Sequence, residues 1–425
     1  MISKFKPSYK IKRTDEKITS RAGLIPFGDF LKAMNLKQSL RSFPKPLNEQ
    51  GYDHMEYMVP MMLMMYAGGQ SVADIREIRE DIVIRDLLEL NTVPSESAIG
   101  DWLKKMGDRG GIEAINKAID SINAKIFAQS NVVELTISND PTIIETSKRD
   151  AAMTYLGVKG YRPGLAFIQE LDIVLAQEFR QGNDMGNKLE FLKWAFSKVP
   201  TNKIIKNALF DSEFYIAEAI NYLEERRCTW AIAADQDAAV KAVIEEIPQS
   251  DWGPLLDKDG FNTGKEVAET IHCMEKTKKS FRLVVIRWKD KKGNICHHAI
   301  ASNKKIGSAN DVILYYNYRA VAENIIKEVK GGFGMDKMPS GYFLANALYF
   351  AIGVLTYNFF IAQKFMTMPK ELQNKTIESI RWILVEVPGK VVRHANNTIL
   401  KIATTVEKFT IFLNMRGKTE CASSA

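Results

Sequence analysis

Residues 315–330 read YYNYRAVAENIIKEVK, good helix formers with no glycine or proline until Gly331. At about 100° of rotation per residue, Tyr316, Arg319, Glu323, Lys327 and Lys330 fall within roughly 80° of one another. Val321, Ile325 and Val329 fall on the opposite side, where they can dock on a core. The polar face then carries one carboxylate among cations and a phenol. A helix laced by surface ion pairs, such as Arg319 with Glu323, has the same composition. Two further acids, Asp140 and Asp211, stand far upstream, each closing a run that reads as a buried strand. Acids so distant in sequence can meet only through the fold. Together they could take hard divalent cations through oxygen. Two such ions about 3.5–4 Å apart support in-line displacement at phosphorus.

The elements that must position these groups follow from periodicity. Val133, Leu135 and Ile137 alternate with Glu134, Thr136, Ser138 and Asp140, the pattern of a strand, and Pro141 ends it. Asp140 therefore sits at a strand's carboxyl end, where crevices form in α/β sheets. Residues 204–210 form a short buried strand closed by Asp211, which with Ser212 caps a helix over 213–226. Further strands are expected at 152–156 or 165–170, at 173–179 and at 229–234, with a helix over 187–197. Runs at 267–274, 281–289 and 294–301 read as β-strands, the last two joined by a turn at 290–294.

Upstream the chain is helical. The stretches 24–40 and 52–66 are broken by Pro44 with Pro46 and by Gly68–Gly69. Ser71, Asp81 and Ser95 then cap three short helices, followed by a helix over 112–127. Ser95, Glu96 and Ser97 at the head of the third are compatible with a helix-turn-helix, although any small helical bundle shares that grammar. Residues 342–362 are about long enough to span a bilayer, but Asn346, Thr356 and Asn358 interrupt them. A buried core helix is expected there and no membrane segment. Residues 376–392 read as strand-rich and basic, and 399–412 as apolar with no clear period.

The bulk properties fit a soluble protein with a polyanionic partner. Of 425 residues 46% are hydrophobic and 26% charged, and the formal net charge is +7. Positive charge gathers in residues 1–21, including Lys4 and Lys6, and again in 381–418, an arrangement suited to gripping phosphates. Four cysteines without C-x-x-C spacing, and an N-terminus without an apolar signal core, lead us to expect a reducing cytoplasm.

The spacing Tyr316, Arg319, Glu323, Lys330 resembles the Y-x2-R-x3-E-x6-K signature of bacterial insertion-sequence DDE transposases. ISNDPTIIE, with Asp140 and Thr142, is similar to that family's first-Asp word. LFDSEFY, with Asp211, Phe214 and Tyr215, is similar to its second. KGYRP, RQGN and KMPSGYFLANALYF add to the likeness, which runs from about residue 20 to 410. The resemblance implies an α/β fold with a ribonuclease H-like mixed sheet core, interrupted by an all-β insertion and preceded by an α-helical domain. The implied division is a helical DNA-end-binding domain with a basic arm (1–130), the core in two parts (131–235 and 311–370), a β-rich insertion (236–310) and a basic C-terminal region (371–425).

The resemblance also implies the site. Asp140, Asp211 and Glu323 are the catalytic, metal-binding carboxylates for Mg²⁺ or Mn²⁺, as two ions. Tyr316, Arg319, Lys327 and Lys330 bind DNA. The partners are terminal inverted repeats and target DNA, held by a homodimer in a nucleoid-associated synaptic complex, with cleavage at the element ends and joining of 3′-hydroxyls to the target. Ser138 stands where relatives often carry an extra Asp. A nuclease without strand transfer, or an inactive DNA-binding remnant, are the alternatives. Rival sites are weaker: Asp235, Asp237 and Glu145 read as surface acids, and His272, Cys273, Cys296, His297 and His298 lack the usual zinc spacing. GGFGMD after the helix lacks a P-loop's lysine and reads as a helix stop.

Overall fold

The computed structural model describes residues 8–45, 51–395 and 397–423. Lys4, Lys6 and Pro46 lie outside the described residues. In the N-terminal part the cap signals work as the sequence suggests. Helix α1 (Leu24–Ala33) is followed by α2 (His54–Tyr66), where Asp53 closes a capping box with Glu56. Ser71 and Asp81 each accept a backbone N–H at the head of short helical turns. Ser95 does the same for α3 (Glu96–Gly107), and α4 (Gly111–Gln129) follows. Trp102, Leu103 and Met106 bury one face of α3, leaving Glu96 and Ser97 at the exposed end.

Runs that are apolar on both faces need cover on both sides, and the strands around the two aspartates are of this kind. They are β1 (Glu134–Pro141), β2 (Gly164–Ile168), β3 (Ile173–Glu178), β4 (Ile204–Phe210) and β5 (Thr229–Ala234). Between them lie α5 (Lys188–Ser197), capped by Asn187, and α6 (Ala217–Glu225). The 152–156 run contributes only the two-residue strand Ala152–Met153. The helix expected over 213–226 is split, with a 3-10 turn at Ser212–Phe214 before α6.

The stretch 236–310 corrects the expectation of an all-β insertion. It opens with α7 (Ala238–Glu245), capped by Asp237. Its strands, β6 (Gly253–Leu256), β7 (Asn262–His272), β8 (Phe281–Lys289) and β9 (Ile295–Ser302), build no separate sheet. β9 pairs with the edge of β5, so one nine-stranded sheet runs β6-β7-β8-β9-β5-β4-β1-β2-β3. An apolar edge at β5 needs a partner, and β9 supplies it. β1, β4 and β5 are mutually parallel neighbours, and the other pairings are antiparallel.

The stretch 315–330 is a second correction. It is not one helix: α8 (Ala309–Asn317) ends, the chain turns at Tyr318 and Arg319, and α9 (Ala320–Lys327) starts again. A wide π-turn (Glu328–Gly332) follows, then Gly334 at φ +73°. The reason is nonlocal. Val312, Ile313 and Tyr316 pack on the sheet with Leu209, Ala233 and Ile300. Ala322, Ile325, Ile326 and Val329 belong to the main core instead. A straight helix cannot face both.

Helix α10 (Phe343–Thr367) is long and apolar enough to cross a membrane by length and composition, yet 94% of its most apolar 18-residue window is buried within the protein. It packs against α2, α3, α4 and β3. Its polar residues are anchors. Asn358 Nδ2 donates to Asn123 Oδ1 (2.8 Å) and Val174 O (2.7 Å), and its Oδ1 accepts from Val174 N (3.1 Å). Beyond it, 376–392 is less strand-rich than its composition suggests. A short helix (Ile377–Ile380) and a π-turn (Arg381–Val385) come first. They carry the buried Arg381 guanidinium to the carbonyls of Tyr66 (2.7 Å) and Met65 (2.9 Å), which end α2. β10 (Gly389–His394) and β11 (Asn397–Ile402) then form a hairpin that Ile18–Thr19 joins, and α11 (Val406–Ser423) closes the chain.

Candidate active site

β1 and β4 run parallel with Ser138 opposite Leu209 and Asn139 opposite Phe210. Side chains alternate, so the next pair on the face of Ser138 and Leu209 is Asp140 and Asp211. Strand register alone thus sets the two acids side by side at the carboxyl ends of adjacent central strands. Asp211 also caps the turn after β4, accepting the Glu213 N–H at 3.2 Å.

The third acid arrives through an arginine. Arg319, at the head of α9, places Nη1 2.8 Å from Asp140 Oδ2 and Nη2 3.1 Å from Glu323 Oε1. One guanidinium therefore spans the upstream strand and the downstream helix. Glu323 is 48% exposed and remains open to solvent. Burial raises the pKa of Asp140 above the usual carboxylate range, with Arg319 opposing the rise. For Asp211, burial and then the Asp140 charge push it up to about 7. Two desolvated carboxylates side by side resist ionising together.

The other residues expected to bind DNA divide among different surroundings. Tyr316 is 8% exposed and packs into the sheet, with Arg319 5.8 Å from its ring centroid and His298 at 6.1 Å. It supports the arginine from below, and its ring is not open to a displaced base. Lys330 is half-buried and donates to Thr142 Oγ1 (3.1 Å) and Ile143 O (2.8 Å), bracing the chain just past β1. Lys327 is exposed and borders a separate hollow of about 470 Å³ with Glu328, Lys364 and Lys375.

Two contributors escaped sequence reasoning. Arg162, in the KGYRP word, is buried and pairs with Glu213, next to Asp211. The signal was present, because Asp211-x-Glu213 sets an acid two residues past the strand tip. Gln169 is the second: its Nε2 donates to the hydroxyl of fully buried Ser138, the position where the resemblance led us to expect an extra acid. Among the rivals, Asp235 and Glu145 are exposed and Asp237 is a helix cap. His272 pairs across to Phe281 and Cys296 to Trp288, at opposite ends of β8, so those sulfur and imidazole groups do not converge.

Among the described residues no three His, Cys, Asp or Glu side chains are gathered as a ready cation cluster. The donor set nevertheless suits a hard cation. It is all oxygen, it is partly desolvated, and a guanidinium already lies between Asp140 and Glu323 where positive charge is needed. Asp140, Asp211 and Glu323 are the residues that would hold it.

Acids at adjacent strand ends beside a helix-borne Glu could serve metal-assisted chemistry at phosphorus, and the comparisons give the family. The chain belongs to the family described as Transposase DDE domain group 1, whose model matches residues 3–419. No curated protein matches the chain. Among solved structures, a piggyBac transposase synaptic complex with hairpin DNA is similar at 12% sequence identity and a TM-score of 0.46, over 97% of this chain and 84% of that one.

Proposed function

We propose that this protein is the transposase of a bacterial insertion sequence, acting in the cytoplasm on the nucleoid. It binds the terminal inverted repeats, cuts at the element ends and joins the 3′-hydroxyls to target DNA. The observation that carries this reading is the placement of Asp140 and Asp211 on parallel neighbouring strands, with Arg319 drawing Glu323 to them. The strand order β3-β2-β1-β4-β5, with β1, β4 and β5 parallel, supports a ribonuclease H-like core.

Asp140, Asp211 and Glu323 supply oxygen donors and the negative charge that offsets divalent cations. A pair of Mg²⁺ or Mn²⁺ ions, when bound, supplies Lewis-acid stabilisation of the attacking and leaving oxygens. Arg319 offers a planar, two-pronged donor to phosphate oxygens, and Lys330 a point charge at the end of β1. Tyr316, packed with Leu209 and Ile300, forms an apolar floor beneath Arg319, which strengthens its electrostatic contacts.

The test combines protein, Mg²⁺, a labelled terminal repeat and plasmid. Joined product is expected. Cleavage without joining identifies a nuclease, and a mobility shift without cutting identifies an inactive binder. Glu323→Gln is expected to abolish cleavage, by at least about 100-fold, while leaving binding of the repeat intact. Retained cleavage removes Glu323 from the chemistry.

A further inference from the structure

Beside the charged site stands an apolar ledge that the chemistry above does not use. Between β1 and β2 the chain makes a small three-stranded sheet from Ile144–Glu145, Ala152–Met153 and Lys159–Tyr161. Its hairpin turns at Gly157 (φ +75°) and holds Met153, Tyr155 and Leu156 at 56%, 70% and 61% exposure. The turn is built: Thr154 N and Oγ1 both donate to Val158 O at 2.8 Å, and Gly157 N donates to Thr154 O at 3.0 Å. Met185, 43% exposed, joins the ledge from the loop after β3.

One residue ties this ledge to the acids. The Arg162 guanidinium carbon lies 5.0 Å from the Tyr155 ring centroid, its Nη1 meets Met185 Sδ, and its Nη2 pairs with Glu213. Glu213 N–H in turn caps onto Asp211. The ledge is thus linked to Asp211 through two residues, Arg162 and Glu213. With Arg162 neutralised by Glu213, Lys148, Arg149 and Lys159 still outnumber Glu145 and Asp150 along the same loop, which favours a polyanion as its neighbour.

Phosphates gain nothing from Leu and Met side chains and only a hydroxyl hydrogen bond from Tyr, whereas the flat faces of bases gain from all three. Apolar wedges and aromatic platforms amid basic surface are how proteins engage unstacked bases. We propose that the Met153–Leu156 hairpin, with Met185, receives nucleobases beside the scissile phosphate: Tyr155 stacks on a base, and Leu156 and Met153 fill the step it vacates. This rests on the DNA-end reading of the site and adds a base-contacting surface to it.

The full-length protein in EDTA, where no cutting interferes, is mixed with terminal-repeat duplexes carrying single 5-iododeoxyuridines near the cleavage position. Photocrosslinking to Tyr155 is expected from a position within two or so nucleotides of the scissile phosphate. The double variant Y155A/L156A is expected to melt like wild type but to bind the repeat about tenfold more weakly. A duplex already unpaired at that step is expected to recover most of the loss. Wild-type affinity in the variant, with crosslinks only elsewhere, overturns the proposal. So does unchanged affinity accompanied by loss of self-association in sedimentation, which would make the ledge a protein contact. If wild type itself ignores the repeat, the DNA-end reading falls together with the ledge.

Discussion

Arg319 holds the place of a cation between Asp140 and Glu323, at 2.8 and 3.1 Å. On the proposed reading a divalent ion competes with it, and the arginine once released can turn to phosphate. Arg319→Gln is expected to tighten Mn²⁺ binding several-fold in calorimetry without DNA, while weakening binding to the repeat and lowering its salt slope by about one. Weaker Mn²⁺ binding in a normally folded variant would contradict the competition. Asp211 makes a pH prediction. Its folded pKa is raised to about 7, so the folded state carries a proton that the unfolded chain has lost. Stability of the metal-free protein from this group therefore falls as pH climbs from about 4 to about 7 and then levels. Asp211→Asn, permanently neutral, escapes the loss. Its stability advantage in urea unfolding is expected to grow by about 2–4 kcal/mol between pH 4 and pH 8. A gap independent of pH would show that Asp211 ionises normally. These candidate acids were legible because strand alternation, Pro141 and the cap at Asp211 mark where each strand ends. The bridging by Arg319 was legible only as an Arg319–Glu323 helix pair, since its second arm goes to a residue 179 positions away.

Elements show where local pattern stops being enough. Residues 204–210 and 229–234 are strands with the boundaries their composition suggests, because short apolar runs between turn residues have one way to be buried. The break between α8 and α9 has no such signature. Good helix formers run through it, and only the demand that Tyr316 and Ile325 reach different clusters bends the chain. The same holds for 236–310, whose strands read as β but whose membership of the central sheet depends on the edge of β5. Helix α10 was recognisable as core by its asparagines, and the structure gives each a partner. Asn358→Ala leaves Asn123 Oδ1 and the Val174 N–H without buried partners, while Asn123 Nδ2 keeps Val174 O at 3.0 Å, and is expected to destabilise by about 2–4 kcal/mol in denaturant unfolding. A loss under about 0.5 kcal/mol would mean that water replaces the amide without cost.

At the scale of the whole molecule, the two basic ends meet. Ile18–Thr19 pairs with β10, and acids of the N-terminal helices answer the nearby cations: Lys17 and Arg393 both reach Asp86, at 3.4 and 2.8 Å, and Arg21 reaches Glu77 at 3.3 Å. Part of the charge that looked available for DNA is thus spent on closing the chain. On the proposed transposase reading two element ends are cut, so the complex with repeats is expected to sediment as two subunits with two ends. One subunit holding both ends would refute that assembly. From the sequence alone came the candidate acids, their placement at strand tips and on a helix, and the helical and sheet regions, because periodicity, caps and turn residues act over a few positions. The tertiary structure alone decided that the supposed insertion lengthens the main sheet, that the signature helix is bent, and that a guanidinium sits among the acids. Each of those depends on which distant surfaces share a core, and burial of apolar area has no memory of sequence distance.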